Sequence, residues 1–599
     1  MISRPSRIRQ TCGPAPLDDQ RGLGRARLDG PAKAALETGR TRLLMAAGAF
    51  TLGFLAVAVR LGDVSLIKES NEPRIARVVT AAEPVHRADI RDRNGTVLAT
   101  SLVTHSLYAD PAQILDPHEA AVKLARVLPD LDVKQVEADL RSDRRFVWLQ
   151  RHLTPQQYYQ VNRLGIPGLS FRQDERRVYP QGPLAAQILG FTDIDEHGIA
   201  GVEKYFDKAL ATGAKPLELS LDMRVQYVLR EELQAQMLKH KAIGASGLVM
   251  DVTTGEVIAS VSLPDFDPND PMNAPKEARF NRNTLGTYEM GSTFKIFTVA
   301  TALESGTAKL TDRFDATHPI HVARFSIRDY HALNRWLSVP EIFVHSSNIG
   351  AVRMALEFGT ERQQEYLKRF GLLKPASIEL PEIGEPQIPN PWRPINTMTI
   401  AFGHGMAVSP LQLAHAVSAI ANDGVMVPTT IVKRMPEEKY AGHRVVSSST
   451  ARQVQSLMRQ VVLDGTGRKA EAPGYLVGGK TGSTDKKGLS GRIHGLLSLF
   501  VGAFPMNQPR YLVLAIVDDP KGTKDTYGFA TGGWIAAPVV GHTVTRIAPL
   551  LGVKPLDEKS VEPDMGTKVA AAPTGGTRAN GASNRDPGAN SRERAVASY

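Results

Sequence analysis

Ser292-Thr293-Phe294-Lys295 sets a hydroxyl and an amine three residues apart, on one face of a helix if a helix begins there. An unassisted serine is a weak nucleophile near neutral pH and needs an adjacent base. Lys295 is in reach, but an unperturbed lysine titrates near ~10.4, so half-neutralisation at pH 7 demands roughly 4.6 kcal/mol. Burial and a second ammonium nearby would both push that way. The spacing alone carries little, because Ser65-Leu66-Ile67-Lys68 and Ser483-Thr484-Asp485-Lys486 repeat it. What separates the first instance is its company. Ser346-Ser347-Asn348 offers a hydroxyl and an amide, and Lys480-Thr481-Gly482-Ser483 adds a second amine, two hydroxyls and a glycine that lets backbone approach a ligand. The set suits acyl transfer through a covalent serine ester. Ser292 would attack, Lys295 would take its proton, Ser346 would relay a proton to the leaving amine, Asn348 would hold a substrate amide and Lys480 would tune the field. No metal or cofactor is required.

These groups need rigid elements beneath them. Gly291 before Ser292 and Gly306 after it bracket a helix. Ser338-Val339-Pro340-Glu341 is a capping box with proline in the first turn, so a helix should start there. Residues 349–358 (IGAVRMALEF) form a second helical stretch closed by Gly359, placing Ser346 and Asn348 at the junction. Residues 475–483 (YLVGGKTGS) read as a strand edge carrying Lys480, Thr481, Gly482 and Ser483. Asp222 is an N-cap for a helix reaching Lys239, in which Val225, Val228, Leu229, Leu233 and Met237 recur at helical spacing. Residues 247–262 read as two strands around Thr253-Thr254-Gly255, and residues 511–517 (YLVLAIV) as an apolar strand. Strands at both ends of this region with helices between predict an α/β (α+β) domain over residues 221–555, its antiparallel sheet completed late in the chain and flanked by helices.

At 599 residues the chain is too long for one core, so further units are expected. Apolar residues at 42% and charged residues at 22% allow most of it to fold. Residues 90–99 (IRDRNGTVLA) predict a hairpin with a type I′ turn at Asn94-Gly95, opening a β-containing unit over residues 72–220. That unit includes residues 146–149, a turn at 179–182 and residues 198–203, with no catalytic grouping, and reads as a spacer or docking domain. Residues 43–59 carry no charge and Arg60 closes them, so residues 43–61 predict a transmembrane anchor. The leader, residues 1–42, holds nine basic residues against four acidic ones, which places the N-terminus in the cytoplasm and the rest outside. A cleaved signal peptide ending near Ala56-Val57-Ala58 is the alternative. The leader also supplies half of the net charge of +10, which removes the case for nucleic acid. Cys12, the only cysteine, falls on the cytoplasmic side, so the exported part has neither disulfides nor a thiol nucleophile. Residues 556–599 are rich in small and polar residues and predict a disordered tail.

The ordered trio S-x-x-K, S-x-N and K-T-G is the signature of penicillin-recognising enzymes. Over residues 40–550 the chain resembles the class B penicillin-binding proteins. The resemblance extends to residues 87–95 (RADIRDRNG), 198–203 (GIAGVE), 288–293 (YEMGST) and 402–412 (FGHGMAVSPLQ), which look most like the division-specific members. It implies an inner-membrane protein with one anchor, a pedestal of the penicillin-binding protein dimerisation type and a periplasmic transpeptidase domain. The implied substrate is a peptidoglycan stem peptide ending in D-alanyl-D-alanine, with β-lactams as inhibitors. A membrane glycosyltransferase and other divisome proteins are the implied partners, because the glycosyltransferase domain of the bifunctional relatives has no room here. The resemblance further implies an oxyanion hole from the N–H groups of Ser292 and Ser483, and a substrate carboxylate held by the hydroxyls of Thr481 and Ser483. Ala88, Met290 and Ser483 stand where the family has glycine, proline and threonine.

Other readings compete. Residues 474–481 (GYLVGGKT) fit a nucleotide-binding loop, and residues 511–518 a strand ending in a Mg²⁺-binding aspartate. Such a loop must follow a strand and open a helix, and its surroundings suit neither. A β-lactamase would need a water-activating group that the motifs lack. A non-catalytic septal scaffold, or an elongation-specific transpeptidase, would share most of the pattern. His404 and His494 lack the company of a metal site and read as structural.

Overall fold

The computed structural model describes residues 31–62, 86–213, 215–322, 325–435, 440–487 and 493–556. Most of the leader, the Ser65 to Lys68 decoy and nearly all of the tail lie outside these. The chain divides into two units, Met1–Pro84 and Val85–Tyr599.

Among its described residues the first unit holds one helix, Pro31–Gly62. Within its segment Glu37–Leu61 an 18-residue stretch has a mean hydropathy of 1.9, and the helix is long and apolar enough to cross a membrane. At 1.5 Å per residue those 25 residues exceed the ~30 Å of a hydrocarbon core. The hydroxyls of Thr41 and Thr51 donate back to the carbonyls of Glu37 and Ala47, so neither polar group is left bare.

In the second unit, the strand Val97–Ala109 organises a five-stranded sheet. Leu169–Val178 pairs along most of its length, Val147–Leu153 along its second half, and Ile90–Arg91 at its start, all antiparallel. Leu217–Glu218 adds a parallel pairing to Ile90–Arg91. Leu107, Leu124, Leu140, Leu153 and Val161 bury a small core under helices begun at Asp116, Asp132 and Thr154, each of which caps backbone N–H groups. The hairpin predicted at residues 90–99 is present, but its turn is not type I′. Of Asn94 and Gly95 only Gly95 takes positive φ, at +86°. The Asp92 carbonyl accepts from Gly95 N–H, and Asp92 N–H donates to the Thr96 carbonyl. This is the turn-plus-bulge form of hairpin, and the Asp92 carboxylate stabilises it by accepting from Asn94 and Thr96 N–H.

The second sheet runs Gly478–Lys487, Ile493–Phe504, Tyr511–Asp518, Gly244–Asp251 and Val257–Leu263, antiparallel throughout. Gly244–Asp251 and Tyr511–Asp518 are buried at every position, because both faces are covered. Met223–Lys239 and Gly532–Leu550 pack one face, and the helices between the strand regions pack the other. That accounts for continuous apolar runs where a half-exposed antiparallel sheet would alternate. Asp222 caps the first of these helices as expected. The chain crosses between the two sheets through Ser220, whose N–H reaches the Ile431 carbonyl and whose hydroxyl donates to that of Val257.

Candidate active site

Ser292 sits in a 3-10 turn, Gly291–Phe294, that leads directly into the helix Lys295–Glu304. Gly291 has φ +51°, and a Cβ there would lie 2.5 Å from Thr484 Oγ1 and 2.9 Å from the Ser483 carbonyl oxygen. On its other side, a Cβ on Gly403 would lie 1.9 Å from the Gly291 carbonyl oxygen. The serine turn is thus held between the Gly403 loop and the strand of Lys480. A Cβ on Gly482 would in turn meet the Met290 carbonyl oxygen at 2.7 Å, so glycine is required for this approach.

Ser346 and Asn348 lie between two helices, Val339–Val344 and Asn348–Arg369. The Ser338 capping box forms with Glu341. Ser346 is at φ +63°, a conformation costly for a non-glycine residue, and there its carbonyl points at Lys295. Asp329 holds the junction in place. Its carboxylate accepts from the Ser347 hydroxyl at 2.6 Å and from the N–H groups of Asn348 and Ile349 at 2.5 and 2.9 Å. The Ser347 hydroxyl oxygen accepts from Gly350 N–H and completes the cap.

Lys295 Nζ lies 3.0 Å from Ser292 Oγ, 2.6 Å from the Ser346 carbonyl oxygen, 3.1 Å from Ser346 Oγ and 2.7 Å from Asn348 Oδ1. Asn348 Nδ2 donates to the Arg328 carbonyl, which orients the amide with its oxygen toward the lysine. A neutral amine has two hydrogens and one lone pair. The Ser346 carbonyl and Asn348 Oδ1 can only accept, so they take both hydrogens, and the lone pair is left for a hydroxyl. Ser292 and Ser346 supply the two candidates. Lys480 Nζ approaches Ser346 Oγ from the other side at 3.0 Å. Both lysines are fully buried. Burial pushes Lys295 down to about 7, while the Asp329 carboxylate pulls it back upward. Lys480 is pushed well below its ordinary value, first by burial and then by the charge of Lys295. Repulsion between the two ammonium groups is mutual, so the charge of either one disfavours the protonated form of the other.

Thr481 and Ser483 follow on the same strand, paired with Phe500 and Ser498. Thr481 Oγ1 is 2.7 Å from Thr466 Oγ1, and Ser483 Oγ accepts from Gly532 N–H at 3.0 Å. All eight residues singled out in the sequence therefore meet in one place. The second decoy does not. On an extended strand Ser483 and Lys486 face opposite ways, and Lys486 pairs with Asp518 at 2.6 Å. The same strand disposes of the nucleotide reading, since Lys480 and Thr481 stand mid-strand and the aspartate meant for Mg²⁺ is taken by a lysine. His404 bonds Glu289 at 3.1 Å, beside the serine turn. Sequence reasoning missed Asp329, Thr466 and Gly532, which touch the motifs only through folding and carry no local pattern.

Two families match the chain: the penicillin-binding protein dimerisation domain over residues 82–226 and the penicillin-binding protein transpeptidase domain over residues 245–541. The chain is 39% identical over 530 residues to the probable peptidoglycan D,D-transpeptidase FtsI of Caulobacter vibrioides, covering 86% of this chain and 89% of that one. It is 32% identical over 553 residues to the peptidoglycan D,D-transpeptidase FtsI of Escherichia coli K12, covering 86% and 91%. Its fold is similar to that of penicillin-binding protein 3 from Mycobacterium tuberculosis, solved with aztreonam. That match has a TM-score of 0.63 and 24% identity, and covers 79% of this chain and 98% of the other.

Proposed function

Because the chain belongs to the class B penicillin-binding proteins of the division-specific kind, and is a penicillin-sensitive peptidoglycan D,D-transpeptidase, we propose that Ser292 is its nucleophile. The observation that carries this assignment is the convergence of two buried lysines on one serine pair, with Lys295 Nζ 3.0 Å from Ser292 Oγ. Ser292 Oγ attacks the penultimate D-alanine carbonyl of a donor stem peptide while its proton passes to Lys295. The developing oxyanion is met by the N–H groups of Ser292 and Ser483. The C–N bond breaks, and D-alanine leaves with a proton relayed through Ser346. The amine of a second stem then attacks the ester, giving the cross-link and freeing Ser292. Asn348 keeps one Nδ2 hydrogen for the substrate amide. Lys480 maintains the field at Ser346, and Thr481 and Ser483 hold the terminal carboxylate. A β-lactam enters the same path and stops at the ester.

The protein is a single-pass membrane protein, anchored by its one described helix able to cross a membrane. We place the leader in the cytoplasm and residues beyond Arg60 in the periplasm, with residues 72–220 as pedestal and 221–555 as catalytic domain. A separate membrane glycosyltransferase supplies the glycan strands, and other divisome proteins bind the pedestal. A reporter fused near Pro555 tests the orientation: alkaline phosphatase should be active there, and activity confined to a cytoplasmic reporter overturns it.

Labelling the solubilised protein with a penicillin and digesting with trypsin should place the adduct on residues 283–295, and Ser292→Ala should abolish it. An adduct on residues 61–68 or 481–486, or one that survives Ser292→Ala, would show the assignment wrong.

A further inference from the structure

Thr466 occupies the turn between the helix Ser448–Leu463 and the short 3-10 turn Arg468–Ala470. Glycines flank it because the turn is wedged between two parts of the site. A Cβ on Gly465 would lie 2.8 Å from the carbonyl oxygen of Val344, the residue that ends the helix leading to Ser346. A Cβ on Gly467 would lie 2.9 Å from the ring of Phe500, the strand partner of Thr481. From this position Thr466 Oγ1 reaches Thr481 Oγ1 at 2.7 Å. A third contact limits its movement: a Cβ on Gly533 would lie 2.3 Å from the Thr466 carbonyl oxygen and 3.7 Å from the Thr481 methyl.

Either hydroxyl can donate across that 2.7 Å contact. A hydroxyl has one hydrogen and two lone pairs, so Thr481 cannot give its hydrogen both to Thr466 and to a carboxylate. The neighbouring hydroxyl shows the same constraint met by backbone. Gly532 N–H donates to Ser483 Oγ, which leaves the Ser483 hydrogen free. We propose that Thr466 does this for Thr481: it is a positioning residue whose hydroxyl donates to Thr481 Oγ1 and so turns the Thr481 hydrogen toward the substrate's terminal carboxylate. Donation from Thr466 also polarises the Thr481 O–H and strengthens its bond to an anion. The inference rests on the reading of Thr481 as a carboxylate donor, and it assigns to Thr466 a share of the preference for substrates that end in a carboxylate.

The test uses the full-length, detergent-solubilised protein and two probes, benzylpenicillin and its uncharged methyl ester, with the second-order acylation rate measured for each. Thr466→Val keeps the side-chain shape and loses the hydroxyl. It should slow acylation by benzylpenicillin about tenfold and leave the ester nearly unaffected, so the ratio of the two rates falls. Thr466→Ser, which retains the donor, should keep the wild-type ratio. Thermal melts identify variants that have merely lost stability. Equal slowing of both probes by Thr466→Val, or an equal fall in the ratio for Thr466→Ser, overturns the proposal. Thr481→Val separates the two levels of inference. If it collapses the ratio while Thr466→Val does not, only the positioning role fails; if it leaves the ratio unchanged, the carboxylate reading fails and the role of Thr466 with it.

Discussion

Lys295 decides how the site responds to pH. With the amine held near 7, acylation should rise as pH climbs through that value and level off above it, because in the role proposed for Lys295 the neutral form accepts the Ser292 proton. Stability should move in the same direction. The folded pKa lies below the ~10.4 of an unfolded lysine, so between about 7 and ~10.4 the unfolded chain holds a proton that the native site does not. The contribution is complete above that window and lost as pH falls to about 7. Lys295→Arg leaves a permanently protonated group. It should cut the acylation rate by roughly 100-fold or more and flatten the pH profile, read with a fluorescent penicillin, while circular dichroism reports an intact fold. Asp329 acts on the same amine from the opposite side. Since its charge raises the Lys295 pKa, Asp329→Asn should shift the acylation profile toward lower pH, and a shift toward higher pH would contradict the sign. It should also slow acylation, because the N–H groups of Asn348 and Ile349 lose a charged partner.

At the scale of elements, local rules succeeded where the chain's nearest neighbours decide the outcome. Asp222 and Ser338 cap their helices through atoms within a few residues, so their patterns could be read directly. Gly359 behaves as the sequence indicated. It takes φ +76° and ψ 175° and breaks the helical path inside Asn348–Arg369, leaving Asn348 on a separate short helix. Nothing lies within 4 Å of where its Cβ would be, so the requirement for glycine is conformational. Gly359→Ala should therefore destabilise the fold by about 1–3 kcal/mol in thermal or denaturant unfolding, with little change in acylation per folded molecule. The Asn94-Gly95 turn shows the limit of the approach. The dipeptide favours a two-residue turn in isolation, but the Asp92 carboxylate binds Asn94 and Thr96 N–H and stabilises the longer form with its bulge. The start of the Ser292 helix was legible only in part. That Ser292 stands on a 3-10 turn follows from packing against Gly403 and Thr484, which are remote in sequence.

Across the whole molecule, a buried ionic cluster joins residues far apart in the pedestal region. Glu203 is fully buried and takes Arg177 at 2.7 Å on one oxygen and Arg87 at 2.7 Å on the other, and Arg87 also reaches Asp207 at 2.9 Å. Removing one partner of such a group leaves charge buried without compensation. Glu203→Gln should lower stability by about 3–5 kcal/mol, measured by thermal unfolding, while penicillin acylation by the folded fraction stays near wild type. Arg87 and Glu203 lie in stretches whose family resemblance was visible and Arg177 and Asp207 do not, and the pairing of the four was not legible, because sequence spacing does not encode contacts across a hundred residues. The same division holds for the site. The types and order of Ser292, Lys295, Ser346, Asn348, Lys480 and Thr481 were enough to name the chemistry, since nucleophile, base and donor are properties of side chains. The anchor was equally legible, because a run of uncharged residues long enough to cross a bilayer is a linear property. What folding alone decided is which way each proton can move. Burial lowers the two lysines, Asn348 and the Ser346 carbonyl take the hydrogens of Lys295, and Asp329, Thr466 and Gly532 arrive from elsewhere to contact groups the motifs left free. Desolvation and hydrogen-bond direction depend on what surrounds an atom in three dimensions, and no spacing along the chain contains that.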